Sequence, residues 1–483
     1  MSASLHLAVD LGAESGRVAL GRLERGRLSL QLLHRFPNVP VLMGGYLHWD
    51  LPLLWQQVLH GLKSAPRGVS SLGVDGWAVD FALLTRSGAL VTLPRHYRDA
   101  RHQLAYQRVL GQLSRAEIFA ESGIQFLPIN TLYQLAALQG EAPELLAAAD
   151  RLLMLPDLLH FWLSGRAVGE RSNASTTQLL RPGEGWSEFL LARLGFPARL
   201  FPELVPPGTV LGPLRPELSS GLGWDLDVVA PCSHDTASAV AAIPALEPGW
   251  AYISSGTWSL VGVELDSPRL GQEALDRNLT NESGLDGSVR LLRNVMGLWL
   301  LQECRRAWGG GEDYAALAGA AAELPALRWL FNPDAEVFLA PNEVAGPMPL
   351  RIQRYCQQND LPVPDSRAEL VRAVHDSLAL RYLWVLGQIE RVAGVRVQRL
   401  HVVGGGSENT LLCQMTADVT GREVVAGPAE ATVIGNLLVT ARATGALGGS
   451  LREVVASSFP LKHYLPRRIA GLDQALALLG NLP

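Results

Sequence analysis

Twice in this chain, about half its length apart, a short apolar strand enters a small glycine turn and a second apolar strand follows at once. The first instance is Leu5 to Val9, the turn Asp10-Leu11-Gly12-Ala13-Glu14-Ser15-Gly16, and the run Arg17 to Leu23. The second is Trp250 to Ser254, the turn Ser255-Gly256-Thr257, and the run Trp258 to Val263. Each reads as a β-hairpin. A doubled domain plan would produce this pair, and so would two unrelated hairpins. The chain has 483 residues, more than one core usually serves, so two large domains are expected.

Between the hairpins the pattern changes. Asn130 to Leu138 and Leu370 to Val392 carry apolar residues at three and four spacing and predict helices. Ser71 to Val74 and Arg399 to Val403 read as strands. Phe201 to Leu218 is rich in Pro and Gly and reads as a loop. Strands alternating with long helices predict an α/β architecture with mixed sheets.

Charge narrows the function. Lys and Arg number 41 against 46 Asp and Glu, a net charge of −5. No basic field exists to attract nucleic acid. No apolar run reaches the roughly 20 residues of a membrane helix. The start Met1 to Asp10 shows no basic stretch followed by an apolar one, so no leader peptide is expected. Cys232, Cys304, Cys356 and Cys413 lie far apart without a CxxC pair, as reduced thiols in a cytoplasmic protein would.

Four segments could carry chemistry. In the turn Asp10 to Arg17, backbone N–H groups can converge on phosphate oxygens where no Cβ blocks them. Asp10 could hold Mg²⁺ and Arg17 could pair with a phosphate. The tip Ser254-Ser255-Gly256-Thr257 offers hydroxyls and backbone donors. His401 to Asn409 runs strand, three glycines, helix start, with Ser407 as the expected N-cap of a helix over Thr410 to Val419. In Ser233-His234-Asp235-Thr236 the carboxylate stands at a helix N-terminus, whose dipole is expected to keep it ionised. Each has an ordinary structural reading beside the functional one: a plain hairpin turn, a flexible connection, a helix cap. There is no GxxxxGK[ST] sequence. The two lysines, Lys63 and Lys462, follow no glycine-rich loop. If ATP binds, its charge must be met by Mg²⁺, backbone N–H groups, hydroxyls and arginine.

Taken together, these segments resemble the FGGY family of carbohydrate kinases, within the actin, sugar kinase and Hsp70 superfamily. The resemblance covers nearly the whole chain. It is carried by Val9 to Arg17, Tyr97-Arg98-Asp99, Ser122 to Pro128, Asn130 to Leu135, Ser233 to Val240, Ser254 to Leu260, Asn294 to Gln302, Val403 to Ser407 and Ala426 to Ala431. It implies two ribonuclease H-like domains, 1–243 and 244–483, with ATP and a sugar in the cleft between them. It places Ala13, Glu14, Ser15, Gly16 and Arg17 at ATP together with Thr257, Gln302 and Gly405. Asp10 is placed at Mg²⁺, Asp235 as catalytic base, and Ala78, His234, Thr236 and Asn294 at the sugar. The implied reaction is phosphorylation of a small ketose, L-rhamnulose first, by a cytoplasmic enzyme with no nucleic-acid or membrane partner. The oligomeric state is left open, a monomer included.

Two positions depart from the pattern. The family's Asp-Thr-Trp-Gly reads here Asp75-Gly76-Trp77-Ala78, which adds a methyl group near the sugar. Glu14 puts a carboxylate in the phosphate loop, so its side chain is expected to point away while its N–H serves. The alternatives are a kinase for another ketose, such as L-fuculose or L-ribulose, and an actin-like ATP-binding protein that phosphorylates nothing.

Overall fold

The computed structural model describes residues 3–340 and 342–480. It separates into two compact units. One comprises residues 1–244, 264–291 and 431–458; the other comprises 245–263, 292–430 and 459–483. The units therefore do not follow a single cut after residue 243: the segments 264–291 and 431–458 pack with the N-terminal half.

The first unit is built on a six-stranded sheet. Its strands are β1 (Ser4–Leu11), β2 (Ser15–Glu24), β3 (Arg27–Pro37), β4 (Val69–Gly76), β5 (Thr209–Pro213) and β6 (Asp227–Ala230), in the order β3-β2-β1-β4-β6-β5. β1 to β3 form an antiparallel meander, β1, β4 and β6 run parallel, and β5 closes the edge antiparallel. The other large sheet has seven strands: β7 (Trp250–Ser255), β8 (Trp258–Leu265), β9 (Val289–Met296), β10 (Arg399–Val403), β11 (Glu423–Ala426) and β12 (Lys462–Tyr464) run in the order β9-β8-β7-β10-β11-β12, with Thr280–Ser283 outside β9 at the edge. β7 pairs antiparallel with β8 and parallel with β10, β10 runs parallel to β11, and β12 closes antiparallel. These six strands repeat the plan of the first sheet, so the hairpins are equivalent parts of it.

The predicted helices are present as Thr131–Glu141 and Arg367–Ala393. The segment Phe201 to Leu218 is a correction: it is not all loop, because it contains β5. Pro213 and Gly212 are tolerated there since β5 is an edge strand, where a missing N–H faces no partner. Its register shifts between Val210 and Gly212, and Gly212 takes a φ of +112°. Ser407 is also corrected. Gly405–Glu408 is a short 3₁₀ turn, the helix is Thr410–Thr420, and Asn409 caps it through Oδ1 to Leu412 N–H at 3.0 Å.

Packing on β4 explains its sequence. Leu72 and Val74 are fully buried and share a core with Leu155, Leu158 and Leu159 of the helix Leu155–Ser164. The alternate residues Gly73 and Asp75 point the other way, toward the helix Ala431–Ala443, which packs on β1 and β4. There Gly73 leaves room for Asn436, whose amide a Cβ would overlap. The same helix packs on Asp235–Ala241. Gly435 allows this, because a Cβ there would overlap the carbonyl oxygen of Ser238. Among the described residues no helix is long and apolar enough to cross a membrane.

Gly435→Ala is expected to lower the melting temperature by several degrees, since forced overpacking costs about 1–3 kcal/mol. Gly387 is an exposed helical glycine with open space around it. Gly387→Ala should be neutral or stabilising, by about 0.5–1 kcal/mol at most. Equal melting temperatures for the two variants would refute the close-packing account.

Candidate functional site

In the first unit the site begins where β1 and β4 end. Asp10 pairs in register with Arg17 across the hairpin and with Asp75 across the parallel ladder. Asp10 is 2% exposed and Asp75 is fully buried. Arg17 Nε stands 2.8 Å from Asp10 Oδ2, and Asn436 Nδ2 donates to Asp75 Oδ2 at 2.6 Å. Burial raises the Asp75 carboxyl well above the usual range, and the charges of Asp10 and Asp235 push it the same way. The hairpin tip is held from outside: Asn38 N–H donates to Glu14 O, and Asn38 Nδ2 donates to Gly12 O, both at 3.0 Å. Glu14 is half-buried.

The Gly76 to Asp80 loop is tied down on both sides. Gly76 N–H donates to Ser233 O and Trp77 N–H to Leu11 O. Ala78 is half-buried against the core. Asp80 is buried and accepts from the indoles of Trp49 and Trp77 at 2.6 and 2.9 Å, and from Gln134 Nε2 at 2.8 Å. Despite these donors, burial pushes its carboxyl up to about 7.

Ser233 then leads into the short helix Asp235–Ala241. Glu170 anchors this junction, its Oε2 accepting from both the N–H and the hydroxyl of Ser233 at 2.8 Å. Ser172 hydroxyl also donates to Glu170 and accepts from His234 N–H. Asp235 is the first helical residue, with 31% of its side chain exposed. Its Oδ1 accepts from Thr236 N–H. Burial, and then the charge of Asp10, raise its carboxyl to about 7. This corrects the expectation that the helix end would keep Asp235 ionised: a helix of seven residues has a small dipole, and desolvation outweighs it. His234 faces Asp235 Oδ1 through Nε2 at 3.3 Å.

The second unit holds the other predicted positions. Gly256 O accepts from Leu298 N–H and Thr257 O from Trp299 N–H, so the hairpin tip sits on the start of the helix Trp299–Ala307. Gln302 lies one turn into that helix, with its Oε1 buried and without a hydrogen bond. Gly404 and Gly406 pack against Ser255, where a Cβ would collide, while Gly405 is exposed with open space around it. Thr257, Gln302 and Gly405 thus gather around one tip. Asn294 lies on β9 and is half-buried.

Residues 5–242 match the model of the FGGY family of carbohydrate kinases, N-terminal domain, and residues 251–444 match its C-terminal domain. The chain belongs to the FGGY family of carbohydrate kinases. Similar relatives include a rhamnulokinase of Bacteroides thetaiotaomicron, 42% identical and covering 97% of each chain. A rhamnulokinase of Oceanobacillus iheyensis is 41% identical, covering 95% of this chain and 98% of the relative. The fold matches the ligand-bound xylulose kinase of Lactobacillus acidophilus with a TM-score of 0.81 at 16% identity, over 99% of this chain and 97% of that one. It also matches the glycerol kinase of Plasmodium falciparum with ADP, with a TM-score of 0.79 at 13% identity, over 99% and 97%. The actin-like two-domain α/β fold is thereby shown. As a carbohydrate kinase the chain acts on a sugar and ATP.

Several members of this FGGY kinase's first-unit constellation escaped the sequence reading. Asp75 had a visible signal: β4 ends Gly73-Val74-Asp75-Gly76 much as β1 ends Ala8-Val9-Asp10-Leu11-Gly12. Glu170, Glu282 and Arg290 had none, since Ser233 lies 63 residues from Glu170, and His234 lies 56 from Arg290 and 282 − 234 = 48 from Glu282.

The state of Asp75 is testable through stability. Its folded-state pKa is raised, so the folded protein keeps a proton that the unfolded chain releases. Folding stability is therefore lost as pH rises above the ordinary Asp value of about 4. Asp75→Asn, which can still accept from Asn436, removes that loss. In metal-free buffer the variant's melting temperature should gain on the native protein's between about pH 5 and about pH 8. A constant difference would mean that Asp75 is not protonated when folded.

Proposed function

We propose that this chain phosphorylates L-rhamnulose at the expense of ATP, with Asp235 as the base that accepts the sugar hydroxyl's proton. The substrate rests on the rhamnulokinases that are 41–42% identical over nearly the full length. The observation that carries the role of Asp235 is its carboxyl, partly open and poised near neutrality. General bases work best when their pKa lies near the working pH. His234, Thr236 and Asn294 would contact the sugar, with Ala78 filling space beside it. Ala13 to Arg17, Thr257, Gln302 and Gly405 would contact ATP. Residues 1–243 would then serve sugar and phosphate, and residues 244–483, Asn294 apart, the nucleotide.

Mg²⁺ fits Asp10. Two carboxylates stand in register with Arg17 as the near cation, and Asp75 Oδ1 is buried without a hydrogen bond. Among the described residues no group of three or more His, Cys, Asp or Glu is disposed as a metal cage. That suits an ion that usually takes one or two carboxylates and completes its shell with water and phosphate. When bound, it would neutralise charge on the transferring phosphoryl group. Asp10 would hold it, Arg17 would be freed to pair with phosphate, and Asp235 would orient the hydroxyl and take its proton.

The sign of the pH dependence follows from the raised carboxyl. Asp235 is protonated, and silent as a base, below its pKa. kcat/KM should therefore rise with pH through about 7 and then level off. Asp235→Asn should fold, bind ATP, and lose at least ~10²-fold in turnover. Near-normal turnover in the purified variant would remove Asp235 from this role. Chelator should abolish activity and added Mg²⁺ restore it.

Substrate choice is read from kcat/KM on L-rhamnulose, L-fuculose and L-ribulose. L-Rhamnulose should lead, and Ala78→Gly should raise its KM a few-fold, as expected for a buried methyl worth about 0.8 kcal/mol. A tenfold preference for L-ribulose, about 1.4 kcal/mol, would overturn the substrate and leave the sugar kinase.

A further inference from the structure

Arg290 is fully buried in the first unit. Its guanidinium meets Glu282 Oε2 at 3.1 Å, donates from Nε and Nη2 to Ser283 O at 3.3 Å each, and meets Nδ1 of His234 at 3.0 Å. Arginine has donors only and keeps its proton in proteins. A ring nitrogen at that distance from it must present a lone pair. Nδ1 of His234 is therefore the acceptor, and the neutral ring carries its proton on Nε2. Nε2 is the nitrogen that faces Asp235.

Glu282 sharpens the point. Its Oε2 lies 3.4 Å from the same Nδ1. Without a compensating cation, a buried carboxylate there would draw a proton onto the ring and make it an imidazolium. Arg290 occupies both partners at once: it satisfies the charge of Glu282 and fills the lone pair of Nδ1.

We propose that Arg290 is a positioning residue that holds His234 as the neutral Nε2–H tautomer, so that a hydrogen-bond donor rather than a cation stands beside Asp235. The charged groups facing the ring are Arg290, Glu282 and Asp235; Ser172 hydroxyl holds its backbone. Burial and the guanidinium both push the His234 imidazolium well below the usual range, in the direction the geometry requires. A neutral donor orients the Asp235 carboxylate without neutralising it. An imidazolium would instead form an ion pair with Asp235 and weaken it as a base. The catalytic consequence rests on the reading of Asp235 above, whereas the tautomer does not.

The test is a long-range ¹H–¹⁵N spectrum of the full chain labelled at histidine. Among the eleven histidines, His234 is identified by the signal lost in His234→Gln. The expected native signature is an unprotonated Nδ1 and a protonated Nε2 from about pH 6 to about pH 8, across the ordinary histidine range. In Arg290→Gln, Nδ1 should become protonated, and kcat should fall roughly tenfold while the KM for ATP stays within about twofold. Arg290→Gln combined with Glu282→Gln, which removes both charges, should return the ring to a neutral form. Arg290→Lys keeps a donor and should keep the native spectrum. A protonated Nδ1 in the native protein overturns the proposal, as does an unchanged ring in Arg290→Gln. If Arg290→Gln does not fold, the native and Arg290→Lys spectra decide. Should Asp235→Asn prove fully active, the base reading fails while the ring spectra still stand or fall alone.

Discussion

Parallel strands lie about 4.8 Å apart, and β1 and β4 bring Asp10 and Asp75 to the same step of that ladder. Were both ionised, two carboxylates a few ångströms apart would repel by about 3–4 kcal/mol where the effective dielectric is near 20, which is part of why Asp75 holds its proton. Both are almost wholly buried, so water cannot absorb the cost. Arg17, in register with Asp10 on the adjoining strand, supplies one answer. Asn436 supplies the other by donating to Asp75. Asn436 reaches Asp75 only because the helix Ala431–Ala443 lies close to the sheet over Gly73, and that helix meets Asp235–Ala241 through Gly435. The glycine pattern and the seat of the Asp235 helix thus both follow from accommodating one pair of acids.

A second buried carboxylate governs the other end of that helix's entry. Glu170 gathers donors from Ser172, Asn173 and Ser233. Burial raises its carboxyl and these donors oppose the rise. Such a network must be nearly complete to be stable, because each unmet donor or acceptor costs about 1–3 kcal/mol. Completeness fixes the backbone at Ser233, and Ser233 O in turn accepts from Gly76 and from Asn173 Nδ2. The loop at Ala78 and the His234-Asp235 turn are therefore set by one hydrogen-bonded knot.

What could be read in the sequence is what is local. The hairpins announce themselves through a glycine turn between two apolar runs. Arg367–Ala393 shows its period over many turns and opens on a Ser366–Glu369 capping box. The failures have physical causes of the same kind. β5 was hidden because Pro and Gly, usual marks of a loop, cost little on an edge strand. Ser407 lost the cap to Asn409 because the glycines before it wind into a 3₁₀ turn first. The rise of the Asp235 carboxyl to about 7 could not be seen because it depends on how much water reaches it, a property of the packed chain. Arg290 and Glu282 belong to the same blind spot: nothing near either residue in sequence hints that they converge on His234.

Three aspartates of the first unit compete for the part of a base, and exposure separates them. Asp75 is fully buried and receives Asn436; it cannot reach a hydroxyl that comes from solution. Asp10 is 2% exposed and its Oδ2 is taken by Arg17 Nε at 2.8 Å, so it too is closed to a hydroxyl that comes from solution. Asp235 alone of the three keeps about a third of its side chain open, and its carboxyl sits near 7. The charge of Asp10 helps to hold it there, since a nearby negative charge disfavours a second. Asp10 thus does two things for the proposed chemistry: it offers a seat for a cation, and its charge raises the affinity of Asp235 for the proton it would accept.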